Sequence, residues 1–292
     1  MSESTLAAQA TRWYDVHARD LPWRSPGVGA WGVLVSEVML QQTPVARVLP
    51  VWEAWLARWP EPAALAADPP AAAIRMWGRL GYPRRALRLH ECAVALVDRH
   101  EGDVPPDLAA LLALPGVGSY TARAVAAFAF GQRQPVVDTN VRRLVARAVT
   151  GAPDAGPATR PADLAATAEL LPEAPAEAVR ASVAFMELGA LICTARAPKC
   201  GGCPLATCCA WRASGGSGLS GPTRRPQRYT GTDRQVRGLL LGVLRDAPGP
   251  VPRQRLDLVW TDDSQRTRAL AGLVADGLVD LVGDHVRLAG ER

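Results

Sequence analysis

Residues 114–143 decide the fold: Leu114-Pro-Gly-Val-Gly-Ser-Tyr-Thr-Ala-Arg-Ala124, an apolar run to Phe130, then Pro135-Val-Val-Asp-Thr-Asn-Val-Arg-Arg143. A short helix over 106–113 precedes this string. Pro115 ends it, because proline has no N–H and clashes with the preceding turn. Gly116 and Gly118 allow positive φ and a close approach of the backbone. Ser119 and Thr121 are expected to cap the helix that follows. The pattern is therefore helix, glycine hairpin, helix, and then a lone carboxylate, Asp138, at the start of a further helix. Such a hairpin turns the N–H groups of Gly116 and Gly118 outward at a helix N-terminus, which is an anion site. A bare Gly-x-Gly also fits an ordinary helical corner; the length of the string is what makes it specific.

The anion follows from the bulk of the chain. A net charge of +5 over 292 residues suits a polyanionic partner, and DNA phosphate is the natural one. The 48% hydrophobic content is enough for one large or two modest cores. No apolar run is long enough to span a membrane. Met1-Ser-Glu-Ser-Thr5 lacks a basic-then-apolar signal pattern, so a cytoplasmic protein is expected; a monomeric bacterial protein, nucleoid-associated when bound to DNA, is the accompanying expectation. Of six cysteines, four lie between 200 and 209. Crowded thiols in a reducing compartment read as a metal or cluster site rather than a disulfide framework.

Helical patterns run over 5–18, 31–41, 45–59, 63–78 (broken at Pro69-Pro70), 85–100, 162–171 and 174–192, with no alternating strand pattern before 190. The fold class is all-α. Segment 31–41 is apolar nearly all round and should be buried, with Glu37 in its middle. Either Glu37 is a buried carboxyl that keeps its proton, or it shares a narrow polar stripe with Ser36 and Gln41. Trp52, Trp55 and Trp59 fall at helical spacing and read as core. Cys193, Cys200, Cys203 and Cys209 give C-x6-C-x2-C-x5-C directly after a helix. Four thiolates hold one [4Fe–4S] cluster or one zinc, and spacing does not choose between them. Cys208 competes with Cys209 for the last position. Cys92 reads as a buried small hydrophobe. Residues 212–231, with Arg212, Arg224, Arg225 and Arg228, form a flexible basic linker, either touching phosphate or solvated. Residues 232–292 form a small separate module: helix 233–246, a short element at 253–259, helix 263–275 and a hairpin over 276–288, together winged-helix-like.

Leu21-Pro-Trp-Arg24, Ser36-Glu-Val-Met-Leu-Gln-Gln-Thr43, Gly81-Tyr82, Leu114-Pro-Gly-Val-Gly118, Val137-Asp-Thr-Asn-Val141, Glu187-Leu-Gly-Ala190 and the cysteine loop together resemble the MutY family of A/G-specific adenine DNA glycosylases, in the helix-hairpin-helix superfamily. The resemblance covers residues 5–211 and the motifs keep their family order. It implies a six-helix barrel domain over 29–135 carrying the hairpin, and an iron-sulfur cluster domain made of 1–28 and 136–211. It implies base excision repair on double-stranded DNA, by hydrolysis of the N-glycosidic bond of adenine paired with 8-oxoguanine or guanine. By position, it implies that Glu37 is the general acid and base, that Asp138 stabilises the oxocarbenium-like sugar, that Asn140 supports the site and that Tyr120 lies near the sugar. Arg19, Leu21, Trp23 and Arg24 would line the adenine pocket. Gln42 and Tyr82 would meet the mispair, and Gly116, Gly118 and Ser119 would hold phosphate. Cys193, Cys200, Cys203 and Cys209 would ligate one [4Fe–4S] cluster, family spacing selecting Cys209. Glu187 reads as structural.

Tyr120 stands where the related endonuclease III family has its Schiff-base lysine. Tyrosine cannot form an imine, so monofunctional excision is favoured over a glycosylase/lyase. A non-catalytic lesion-binding protein would need neither Glu37 nor Asp138. Two departures stand out. Pro83 occupies the place of a second tyrosine wedge. Residues 232–292 do not resemble the larger Nudix-related domain that reads 8-oxoguanine in typical members, so the resemblance does not extend to that discrimination.

Overall fold

The computed structural model describes residues 4–156, 158–219 and 229–291. The linker arginines Arg224, Arg225 and Arg228 lie outside the described residues. In chain order the helices are α1 (Ser4–His17), α2 (Ala30–Leu40), α3 (Val45–Arg58), α4 (Pro62–Ala67), α5 (Pro70–Trp77), α6 (Arg84–His100), α7 (Leu108–Leu112), α8 (Ser119–Phe128), α9 (Thr139–Val145), α10 (Pro161–Leu170), α11 (Pro175–Leu191) and α12 (Ala210–Ala213). Then come α13 (Asp233–Asp246), β1 (Val251–Pro252), α14 (Arg253–Asp257), α15 (Asp263–Ala275), β2 (Val279–Val282) and β3 (His285–Leu288). The chain is thus mostly helical, and among the described residues the strands belong to the C-terminal module. Among the described residues no helix is long and apolar enough to cross a membrane.

The structure divides into two compact units. The first holds the described residues within 1–33, 106–112 and 118–225. Its core joins Leu6, Ala7 and Ala10 of α1 to Ala181, Ala184, Phe185 and Leu188 of α11, with Val141, Leu144 and Val145 of α9. Alanine at so many contact positions lets these helices pack closely. Helix α9 runs on into a π-helical turn, Ala146–Thr150.

The second unit holds the described residues within 34–105, 113–117 and 226–292. Trp55 sits edge-on to Trp59 and Trp77, with ring centroids 4.6 and 5.9 Å away. The C-terminal module has a three-stranded antiparallel sheet of order β1-β3-β2, registered Val251↔Val286 and Val279↔Leu288. The element expected at 253–259 is the short helix α14, which directly follows strand β1. The module is not a detached bead on its linker. Its Val236, Leu240, Leu273 and Val286 share one core with Ala71 and Ile74 of α5 and Leu87 of α6. Arg245 donates to the Ile74 carbonyl at 3.2 Å, and Arg75 donates to the Ala247 carbonyl at 2.9 Å and pairs with Glu291. The separation drawn from the linker's composition is thus a separation in sequence only.

The hairpin uses its two glycines differently, and its capping departs from the sequence reading. Gly116 has φ +76°, as required, but Gly118 has φ −94° and is the extended N-cap of α8. Ser119 is then the first helical residue, and no side chain caps α8; Thr121 is buried. Gly116 is needed twice over. A Cβ there would stand 2.7 Å from Cβ of Arg88, because α6 presses on the turn.

Candidate active site

Glu37 lies on α2, where every residue from 31 to 39 is buried. It is 5% exposed, so it is buried and does not lie on an exposed polar stripe. Just beyond α2, Gln42 has φ +54°, and further along Tyr82 has φ +48°. Left-handed backbone is uncommon outside glycine. Both side chains are exposed, Tyr82 by 52%.

Asp138 is the N-cap of α9. Its Oδ1 accepts from the backbone N–H groups of Asn140 (2.8 Å) and Val141 (2.7 Å), and its Oδ2 accepts from Nδ2 of Asn140 at 2.9 Å. The Oδ1 of Asn140 in turn accepts from Nη2 of Arg143 at 2.8 Å. Arg143 also donates to the carbonyls of Gly189 and Cys193, each at 2.7 Å. Helices α9 and α11 touch directly here: a Cβ on Gly189 would lie 2.8 Å from Cβ of Asn140. Tyr120, half-buried, packs on Ala124, Ala127 and Val136. Gly116, Gly118 and Ser119 are exposed.

The segment 19–24 is tied down by Glu187. Arg19 donates through Nε (2.6 Å), Nη2 (2.9 Å) and its backbone N–H (3.2 Å), and Arg24 through Nη2 (3.0 Å). Burial pushes the Glu187 carboxyl up, but Arg19 and Arg24 more than offset this and the net shift is downward. Leu21 and Trp23 are buried between these anchors in sequence. Sequence reasoning gave the two arginines to a base pocket and missed that Glu187 anchors both. Its one signal was a carboxylate inside the apolar stretch 181–191.

Cys193, Cys200, Cys203 and Cys209 line one cavity together with Arg147 and Trp211. Cys208 is not among its walls; its thiol faces Gln9 Oε1 at 3.5 Å and the Leu205 carbonyl at 3.4 Å. Burial pushes the Cys203 thiol up to about 11, and the other three thiols add to the shift. Arg147 is buried, with Nη1 3.5 Å from Sγ of Cys193 and hydrogen bonds to the carbonyls of Thr194 and Ala195. Among the described residues no three His, Cys, Asp or Glu side chains are grouped as ligands of a single metal ion. The donor set, four thiols on one cavity beside a buried cation, fits a cofactor that draws thiolates together.

Glu37, Gln42, Tyr82 and Gly116 belong to the second unit; Asp138, Asn140, Tyr120, Gly118, Ser119, segment 19–24 and the cysteines belong to the first.

Residues 35–165 match the model of the HhH-GPD superfamily of base excision DNA repair proteins. The chain is 58% identical over 281 residues to the adenine DNA glycosylase of Mycolicibacterium smegmatis, covering 96% of this chain and 94% of that protein. It is 60% identical over 293 residues to the adenine DNA glycosylase of Mycobacterium tuberculosis, covering 100% and 94%. Among solved structures, a thermostable thymine-DNA glycosylase superposes with a TM-score of 0.66 at 25% identity, over 73% of this chain and 97% of that one.

Proposed function

The chain belongs to the HhH-GPD superfamily of base excision DNA repair proteins, with adenine DNA glycosylases as near full-length relatives, and from that membership we propose how it removes adenine and from which pairs. It is a DNA glycosylase. The substrate is double-stranded DNA in which adenine stands opposite 8-oxoguanine or guanine. One observation carries the chemistry: two carboxyl groups in opposite environments. Glu37 is buried in an apolar helix, while Asp138 accepts three N–H donors. Two carboxyls with such different surroundings suit the two roles of this chemistry, one an acid and the other a stabilising carboxylate.

The flipped adenine enters a pocket lined by Arg19, Leu21, Trp23 and Arg24. As the general acid, Glu37 delivers a proton to adenine N7. The C1′–N9 bond then breaks and its electron pair leaves with the base. Asp138 faces the resulting oxocarbenium-like sugar with its carboxylate. Water attacks C1′, its hydroxyl stays on the sugar and its proton returns to Glu37. The products are free adenine and an abasic site in an unbroken strand. Asn140 holds the Asp138 carboxylate, and Tyr120 lies near the sugar.

The monofunctional outcome has a second support in the sequence. A lyase step needs an amine at the sugar, and the chain contains one lysine, Lys199, which sits in the cysteine loop and not at position 120. Gly116, Gly118 and Ser119 hold phosphate and supply affinity without choosing a base. Gln42 and Tyr82 meet the mispair. Cys193, Cys200, Cys203 and Cys209 are the residues that would hold a [4Fe–4S] cluster. When bound, it would cross-link this loop through iron–thiolate bonds, with Arg147 offsetting negative charge.

The test uses purified protein on duplexes carrying adenine opposite 8-oxoguanine, adenine opposite guanine, or thymine glycol. Adenine release with strand breaks only after alkali is expected. Spontaneous nicking with borohydride trapping would establish a lyase instead, and binding without product would leave a lesion-binding protein. Glu37→Gln is expected to abolish release; normal release by that protein would remove Glu37 from the mechanism. Iron content and absorbance near 400 nm (about the thiolate–iron charge-transfer region) distinguish a cluster from zinc.

A further inference from the structure

Gln42 and Tyr82 are far apart in sequence, yet one guanidinium joins their backbones. Nη1 of Arg85 donates to the carbonyls of Val38 (2.8 Å), Met39 (3.0 Å) and Gln41 (2.6 Å). Its Nη2 donates to Thr43 Oγ1 (2.9 Å) and to the Gly81 carbonyl (3.1 Å). The guanidinium carbon lies 5.0 Å from the Trp77 ring centroid and 5.6 Å from that of Tyr82. The carbonyls at the end of α2 are those a helix leaves without internal partners. Arg85 collects them, grips the residues on both sides of Gln42, and fastens both the residue before Tyr82 and its ring. Burial lowers the guanidinium to about 10, so it stays charged at neutral pH.

Non-glycine residues leave left-handed backbone readily unless their surroundings over-determine it. Gln42 and Tyr82 have exposed side chains, so neither is held there by packing of its own side chain in a core. We propose that Arg85 is a positioning residue, which holds Gln42 and Tyr82 in the left-handed backbone from which their side chains engage the mispair. This rests on the reading above that those two residues contact it. A lysine could not substitute, because a point charge with three donors does not reproduce a planar fork.

Binding is measured on a duplex with 2′-fluoro-2′-deoxyadenosine opposite 8-oxoguanine, which resists cleavage because fluorine disfavours the sugar cation, and on a fully paired duplex. The proteins are wild type, Arg85→Lys, Arg85→Met, Tyr82→Ala and the Arg85→Met/Tyr82→Ala double variant. A 2-aminopurine beside the mispair reports local unstacking. Both Arg85 variants are expected to lose about tenfold in the ratio of mispair to paired affinity, the scale of a lost charged hydrogen bond. They should also lose part of the fluorescence change. Affinity for paired DNA and its salt dependence should stay as in wild type, since phosphate contacts are untouched. The double variant should lose less than the product of the single losses. A merely structural loss would lower the active fraction and leave the ratio and the fluorescence amplitude per bound duplex unchanged. Should Arg85→Met fail to fold, Arg85→Lys decides alone. Arg85 variants that discriminate like wild type, while Tyr82→Ala does not, overturn the proposal. Tyr82→Ala that discriminates like wild type overturns the underlying reading of Tyr82 instead.

Discussion

Asn140 donates from Nδ2 to Oδ2 of Asp138 at 2.9 Å while its Oδ1 accepts from Arg143 at 2.8 Å, so the amide cannot flip without losing both bonds. Asparagine is the residue that can do this, with a donor on one side and an acceptor on the other. Asn140→Asp replaces the donor with a second carboxylate against Asp138. Loss of a hydrogen bond to a charged group is worth about 1.5–3 kcal/mol, which corresponds to a roughly ten- to hundredfold slower excision step. Single-turnover rates measure it, with duplex affinity as the control. A rate within a factor of about two of wild type would show that Asp138 needs no such support.

Gly189 makes the same support depend on helix packing. Its absent Cβ would stand 2.8 Å from both Cβ and the carbonyl oxygen of Asn140. Gly189→Ala must push α9 from α11, at a cost of about 1–3 kcal/mol for overpacking. The expected result is a lower melting temperature together with slower excision, while affinity for paired DNA is retained. Normal excision at reduced stability would mean that Asn140 tolerates the shift.

Glu187 makes stability depend on pH. Its carboxyl is held below the ordinary 4.5, because Arg19 and Arg24 outweigh the opposing effect of burial. A group whose folded value is lowered contributes fully above its unfolded value and loses the contribution as pH falls through the folded one. Glu187→Gln removes the charge and leaves two arginines facing a neutral amide. Breaking a buried pair costs about 3–5 kcal/mol, and Arg19 is 36% exposed, so about 2 kcal/mol is expected here at neutral pH. The gap between wild type and Glu187→Gln in denaturant unfolding should narrow below pH 4.5. A gap that stays constant down to about pH 3 would deny the linkage.

Much of this was legible in the chain, and the parts that were not share a physical cause. The Asp138 cap followed from an acidic residue just before Thr139-Asn-Val-Arg, whereas the helical pattern of 31–41 left Glu37 either buried or on a polar stripe, and the fold decided for burial. The three-way bond among Arg19, Arg24 and Glu187 was not legible, because its partners are more than 160 residues apart and local patterning carries no such distance. Which of the two glycines uses positive φ was not legible either: glycine permits it without requiring it, and Gly118 serves as an extended cap. Nor was the role of Arg85 legible, since nothing local says that a guanidinium will find four backbone carbonyls.

The cysteine loop gives a pairwise test. Cys209 lines the cavity with Cys193, Cys200 and Cys203, whereas Cys208 faces Gln9. Cys208→Ser should therefore retain iron and the absorbance near 400 nm (about where thiolate–iron transitions fall), and Cys209→Ser should lose both. Iron per protein, measured on protein purified without oxygen, gives the answer. Equal loss in both variants would mean that the neighbours exchange as ligands.

The C-terminal module shares its core with α5, and this predicts how the second unit unfolds. Ile74 is fully buried among Leu240, Leu244, Leu273 and Val286 across 160 residues or more of sequence. Ile74→Ala removes methyl groups from that shared core, which costs about 2–5 kcal/mol depending on how far the site can collapse. If module and α5 form one cooperative body, the loss must appear equally in signals from both. Trp260 packs against the module's core and reports on it, while Trp55 and Trp77 report on α3 and α5. Proteins keeping only Trp260, or only Trp55 and Trp77, should unfold in denaturant with coincident midpoints, and Ile74→Ala should move both midpoints by the same amount. A module melting before the tryptophans of α3 and α5, with Ile74→Ala shifting one transition alone, would make residues 229–291 an independent appendage after all. The polar contacts argue against that outcome: Arg75 and Arg245 bond carbonyls across the shared boundary, and Arg84 pairs with Asp276 at 3.3 Å. Peeling the module away would strip those partners from Arg75 and Arg245 and expose Ile74 in the same step.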